Sequence, residues 1–128
     1  MHIYVGRTGD SSSPHASSPF NRIGQHLDFR DTAKGNFLAK RLKEANVNPK
    51  KSTFKMLALG PLFLEQKTFE LHVPFRDQMA TFEYELANYL RDEGYSVLGA
   101  HHKGSSAEEP ALSSVKESAL VFLQNGNS

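Results

Sequence analysis

The chain has 128 residues and a mass of 14.3 kDa, which suits one domain and leaves little room for two. Apolar residues make up 38% and charged residues 23%, enough for a modest core and against disorder throughout. There are no cysteines. Disulfides, thiolate metal sites and a cysteine nucleophile are therefore excluded, and a reducing cytoplasm is the expected location. No stretch approaches the roughly 18 apolar residues of a membrane span, and the opening residues do not resemble a signal peptide.

Residues 2–6 are rich in β-formers and read as a short strand ended by Gly6. Residues 9–19 are dominated by Ser, Pro and Gly, and predict an exposed loop. Phe20, Ile23 and Leu27 recur at intervals of three and four, which predicts a short amphipathic helix. A second helix follows, with Asp31 or Thr32 as N-cap and Phe37, Leu38, Leu42 and Ala45 on its apolar side. Asn46 to Lys50 ends it.

Thr53 to Leu59 reads as a strand closed by Gly60 and Pro61. The alternation from Thr68 to Val73 favours another strand before Pro74. The longest predicted helix runs from about Asp77 to Glu93, with Phe82, Leu86, Tyr89 and Leu90 buried and Gly94 as its stop. Tyr95 to Leu98 is a short strand candidate, and residues 100–111 form a second exposed loop. Ser114 to Glu117 has the pattern of a capping box. Leu120 to Leu123 suits helix or strand, with helix slightly preferred. Phe54, Phe63, Phe69, Phe75, Phe82 and Phe122 are the simplest core candidates. Mixed strands and helices without regular alternation predict a small α+β domain.

A net charge of +1 conceals an uneven distribution. Arg30 to Lys55 carries eight basic residues and two acids, a surplus of +6; Glu65 to Glu93 carries seven acids and three bases, a surplus of −4. Such asymmetry points to a side facing a polyanion, although a solvated lysine-rich face explains it equally well.

Arg22 and His26 lie four apart on the first predicted helix, so both project from one face, and the apolar positions do not force them inward. An arginine fork suits phosphate, and histidine exchanges protons near neutral pH. Upstream, Tyr4, Val5, Gly6 and Arg7 place a phenol at a strand end beside a close-approaching backbone. His101 and His102 invite a zinc reading, but adjacent histidines on a strand point opposite ways and no further ligand set accompanies them. Ser11 to Ser13 and Ser105 with Ser106 lack a nucleophile elbow, and nothing places His15 near a site.

In order, the strand bearing Tyr4-Val5-Gly6, the polar loop and the helix bearing Arg22-Ile23-Gly24-Gln25-His26 resemble the GIY-YIG nuclease domain. The strand at Thr53–Leu59 and the helix bearing Glu83 follow in that family's order, and the resemblance covers about the first 97 residues. It implies a short central antiparallel sheet flanked by helices. Glu83 matches the family's metal-binding glutamate, with Leu86, Ala87 and Leu90 beyond it; Glu85 is the alternative.

Two features depart from the family. Its opening Gly-Ile-Tyr strand has no counterpart before residue 2, and Ser96 stands where the family has asparagine. Either residues 120–123 replace that strand beside residues 2–6, or the domain is degenerate.

The resemblance implies DNA phosphodiester hydrolysis with magnesium or manganese. Glu83 would hold the ion, Arg22 would contact the phosphoryl oxygens, and Tyr4 with His26 would prepare the attacking water. Arg7, Lys40, Arg41, Lys43, Lys50 and Lys51 would attract the DNA backbone. The alternatives are a catalytically degenerate module binding nucleic acid or protein, and an unrelated α+β interaction protein. A protein partner or a homodimer is compatible with either.

Overall fold

A computed structural model describes residues 1–7, 19–60, 62–63, 66–103 and 109–126. Among these residues the chain is mainly helical. The expected α+β architecture with a central antiparallel sheet is not formed: the extended pairing is a single parallel bridge between Ile3 and Val97. The chain divides into two compact units, one of Ser17–Met56 and a larger one of Met1–Ala16 with Leu57–Ser128.

The smaller unit contains α1 (Pro19–His26) and α2 (Phe37–Glu44), followed by a 3-10 turn at Pro49–Lys51. Helix α1 falls where the spacing of Phe20, Ile23 and Leu27 predicts, and Pro19 opens it where a missing N–H costs nothing. Helix α2 starts later than expected. Gly35 adopts φ +68°, a left-handed conformation that helix cannot pass through, so neither Asp31 nor Thr32 caps it. Asn36 holds the N-cap position, but its side chain instead donates to the Asp28 carbonyl at 2.8 Å. Helix α2 buries Leu38, Ala39 and Leu42, while Phe37 stays half exposed. Asn46 at φ +57° ends it, returning the Val47 N–H to Leu42 O at 2.9 Å.

The larger unit is built on α3 (Phe69–Asp92) and α4 (Glu109–Asn125), which pack together. The strand expected over 68–73 is the first turn of α3. Thr68 caps it, its Oγ1 accepting from Leu71 N–H at 3.3 Å. Pro74 lies inside the helix and removes one bond, to the carbonyl of exposed Glu70, which water can serve. The C-terminus closes as predicted. Gly94 at φ +93° lets Tyr95 N–H reach Leu90 O at 3.0 Å, while Gly94 N–H reaches Arg91 O at 3.0 Å.

Helix α4 buries Leu112, Val115 and Ala119, a spacing of three and four that lines one face. Ser114 to Glu117 therefore lies mid-helix rather than capping one, and residues 120–123 are helical rather than a replacement strand. Leu123 packs, with Ile3, Leu86, Tyr89, Tyr95 and Val97, against the cluster of Val5, Ala87 and Leu90.

Thr53 to Leu59 forms no strand. It has no regular structure, and Phe54, Met56, Leu57 and Leu59 are exposed. β-propensity cannot make a strand without a neighbour to take its backbone hydrogen bonds. Of the phenylalanines expected in the core, Phe82 is buried and stacks on Phe63 at 5.9 Å, Phe63 meets Phe75 at 5.1 Å, and Phe54 and Phe69 are exposed. Most of the loop predicted at 9–19, with His15, lies outside the described residues, as do residues 104–108 of the second loop. Among the described residues no helix is long and apolar enough to cross a membrane.

Candidate active site

In the larger unit the site begins with Val5, which alternation turns into the core while Tyr4 and Gly6 face the other way. A methyl group at position 6 would come within 3.1 Å of Tyr4 Cε1, so the glycine leaves the space this ring occupies. Arg7 follows. On α3, Phe82 is buried and Glu83 sits beside it at the core's margin.

These two segments meet through charge. Arg7 Nη1 donates to Glu83 Oε2 at 2.8 Å, with side chains 27% and 17% exposed. At that exposure the bond is charge-assisted and only partly screened by water. Glu85, two residues on, points about 200° away around the helix, so of the two candidate glutamates Glu83 is the one that meets the Tyr4–Arg7 segment.

Beyond α3 the chain returns alongside residues 2–4. Ile3 N–H donates to Ser96 O at 2.8 Å and Leu98 N–H to Ile3 O at 2.8 Å. His2 Nδ1 and Ser96 Oγ share a hydrogen bond of 3.1 Å. Arg91 holds the following loop, donating through Nη2 to Gly99 O at 2.7 Å and Val97 O at 3.4 Å. That loop delivers His101, whose Nε2 lies 3.1 Å from Val5 O and 3.7 Å from Glu83 Oε1. Local sequence offered His101 only as half of a His-His pair, because its neighbours Val5 and Glu83 lie far from it along the chain; Gly99, at φ +87° after the short extended segment, is a local sign of a turn back.

The smaller unit holds the other expected residues. Arg22 Nη1 donates to Gln25 Oε1 at 2.9 Å on α1. His26 does not project outward as expected. It is buried, its ring 5.9 Å from that of Phe37 and tilted by 47°, while Phe20 is exposed instead. The physical reason is that α2 places the Phe37 ring beside His26, a contact that α1's own spacing does not reveal.

Among the basic residues, Arg41 pairs with Glu44 at 3.1 Å, and Lys43 donates to Phe29 O at 3.4 Å. Lys40 lies 5.7 Å from the Phe37 ring centre. Lys50 and Lys51 stand exposed in the 3-10 turn, which Asn48 caps by accepting from Lys50 N–H at 3.0 Å. Arg30 grips Asp28 with its side chain and backbone N–H, holding that carboxyl down at about 2.

No cluster of three His, Asp or Glu side chains able to hold a metal occurs among the described residues. Magnesium does not require one, because it commonly takes one or two carboxylates and completes its shell with water and phosphate. Glu83 is the carboxylate at this point, with Oε2 bonded by Arg7 at 2.8 Å and Oε1 3.7 Å from His101 Nε2. No protein-family model, curated protein or solved structure matches the chain. The likeness to GIY-YIG nucleases therefore rests on its short motifs alone.

Proposed function

We propose that this chain is a metal-dependent endonuclease that hydrolyses DNA phosphodiester bonds, with Glu83 at its centre. One observation carries the reading: the glutamate picked out by its motif lies against the Tyr4–Arg7 segment, bonded to Arg7 at 2.8 Å. Glu83 would hold a magnesium or manganese ion, which would supply charge stabilisation to the phosphoryl oxygens. Arg7 spends one N–H on Glu83 and keeps others for a phosphate oxygen, in a fork suited to that geometry. Tyr4 would orient the attacking water beside Gly6. The smaller unit attracts DNA through Arg22, Lys40, Arg41, Lys43, Lys50 and Lys51, independently of base sequence. Its buried His26 supports Phe37.

A second reading is favoured by the same ion pair. Glu83 Oε2 is already neutralised by Arg7, an arrangement that also suits a non-catalytic module binding nucleic acid through its basic unit.

The test is cleavage of supercoiled and branched DNA with magnesium or manganese, run beside Glu83→Gln and Arg22→Ala proteins that retain the wild-type circular dichroism. Cutting that Glu83→Gln abolishes and Arg22→Ala weakens establishes the nuclease. Cutting that survives Glu83→Gln removes Glu83 from the site. No cutting, with DNA binding whose salt slope falls by about 0.9 for each lysine lost at 50 and 51, establishes the binding module instead.

A further inference from the structure

The smaller unit carries an aromatic ring at its surface that attraction by charge alone does not use. Phe37, the first residue of α2, is 49% exposed, whereas Leu38 and Ala39 beside it are buried. Buried His26 braces the ring from 5.9 Å, tilted by 47°, an angle at which it does not cover the ring flat. Lysines follow at intervals of three. Lys40 Nζ sits 5.7 Å from the Phe37 ring centre, and Lys43 Nζ sits 5.8 Å from that of half-buried Phe29. Both lysines are exposed, and neither is bonded to a carboxylate among the described residues. Residues 17–56 hold nine basic side chains and three acidic ones, and Arg30 and Arg41 already pair with two of those acids.

A duplex offers a protein its phosphates and the edges of its bases, while the faces of the bases stay stacked on one another. An exposed, braced ring has no use for an edge. A single strand frees the faces and keeps the phosphates, and aromatic platforms beside basic side chains hold such strands without reading their sequence. The contact of an exposed lysine with a ring is weak, so a phosphate can draw the ammonium away and uncover the ring. We propose that the Phe37, Lys40 and Lys43 flank of the smaller unit binds an unpaired DNA strand. One base stacks on Phe37 while the two lysines turn to the neighbouring phosphates. This rests on the reading of the smaller unit as the part that attracts DNA, and it narrows the substrate to DNA with an unpaired segment.

The full chain is titrated with a labelled oligo(dT) of about 15 nucleotides, within the usual site sizes for single strands, and with a duplex of equal length. It is compared with Phe37→Leu, Phe37→Trp and Lys40→Ala. Leucine keeps apolar bulk against His26 and loses the aromatic face; tryptophan keeps the face. The chain contains no tryptophan, so Phe37→Trp places a lone fluorophore at the point of stacking.

The expected result is about tenfold weaker oligo(dT) binding in Phe37→Leu, with its salt slope unchanged and duplex binding within about twofold of wild type. Lys40→Ala lowers the salt slope on the single strand by about 0.7. Phe37→Trp keeps its affinity, and its emission is quenched by oligo(dT) but not by the duplex. If Phe37→Leu fails to fold, the Phe37→Trp emission makes the same comparison. Equal losses on the two DNAs, no loss on oligo(dT), or an emission that oligo(dT) leaves unchanged overturns the proposal. So does a wild type that holds the duplex and not oligo(dT). A wild type that binds neither DNA shows a different failure: the smaller unit then does not attract DNA, and the stacking role falls with that reading.

Discussion

Ile3 and Val97 pair in parallel, with Ile3 donating to Ser96 O and accepting from Leu98 N–H, each at 2.8 Å. This one bridge sets the register of the N-terminal segment against the chain leaving α3. Two residues beyond Ile3, the Val5 carbonyl meets His101, and Arg7 meets Glu83. A slip of one residue would turn Val5 out of the core and its neighbours inward.

Leu90, the largest fully buried side chain behind that register among the described residues, is 2% exposed and clusters with Val5 and Ala87. Leu90→Ala is expected to lower unfolding stability in urea by about 2–5 kcal/mol through lost burial and the cavity left behind.

Two arginine–carboxylate pairs differ in surroundings and so in worth. Arg7→Ala leaves the Glu83 carboxylate poorly exposed and without its guanidinium, which is expected to cost about 1–3 kcal/mol. Arg41 and Glu44 are 38% and 63% exposed, three apart on α2. Arg41→Ala is expected to cost less than about 0.5 kcal/mol, because water screens such pairs. Urea titrations of the two variants side by side make the comparison.

Asp28 titrates at about 2 against an ordinary 3.8, chiefly because the Arg30 side chain bonds its carboxylate and then because the Arg30 backbone N–H does. The unfolded chain therefore takes up this proton before the folded one. The contribution of the pair to stability is complete above about pH 4 and is lost as pH falls through about 2. Carboxyl NMR of Arg30→Ala is expected to return the Asp28 midpoint toward 3.8.

Met56 lies in an apolar run that the sequence pattern assigns to a strand, yet it is 44% exposed. Met56→Ser is expected to change stability by less than about 0.5 kcal/mol, as at other surface positions. A loss above about 2 kcal/mol would show the side chain to be buried, as a strand in a sheet requires.

Sequence by itself determined the elements whose hydrogen bonds are local. The spacing of Phe20, Ile23 and Leu27 marks α1, Gly94 marks the end of α3, and residues 120–123 take the preferred helix. Each of those hydrogen bonds closes within a few residues, so neighbouring side chains decide it. Extended segments obey a different constraint, because their backbone groups need a distant partner.

Only the tertiary structure decided that residues 2–4 join 96–98, that 53–59 joins nothing regular, and that the alternation at 68–73 yields to a helix capped by Thr68. The candidate site divides in the same way. Tyr4 and Glu83 are legible as motifs on their own elements. The burial of His26 under Phe37, the bond from Arg7 to Glu83 and the arrival of His101 beside both are contacts between segments far apart in sequence. Folding brings those charges and rings together; local spacing carries no trace of it.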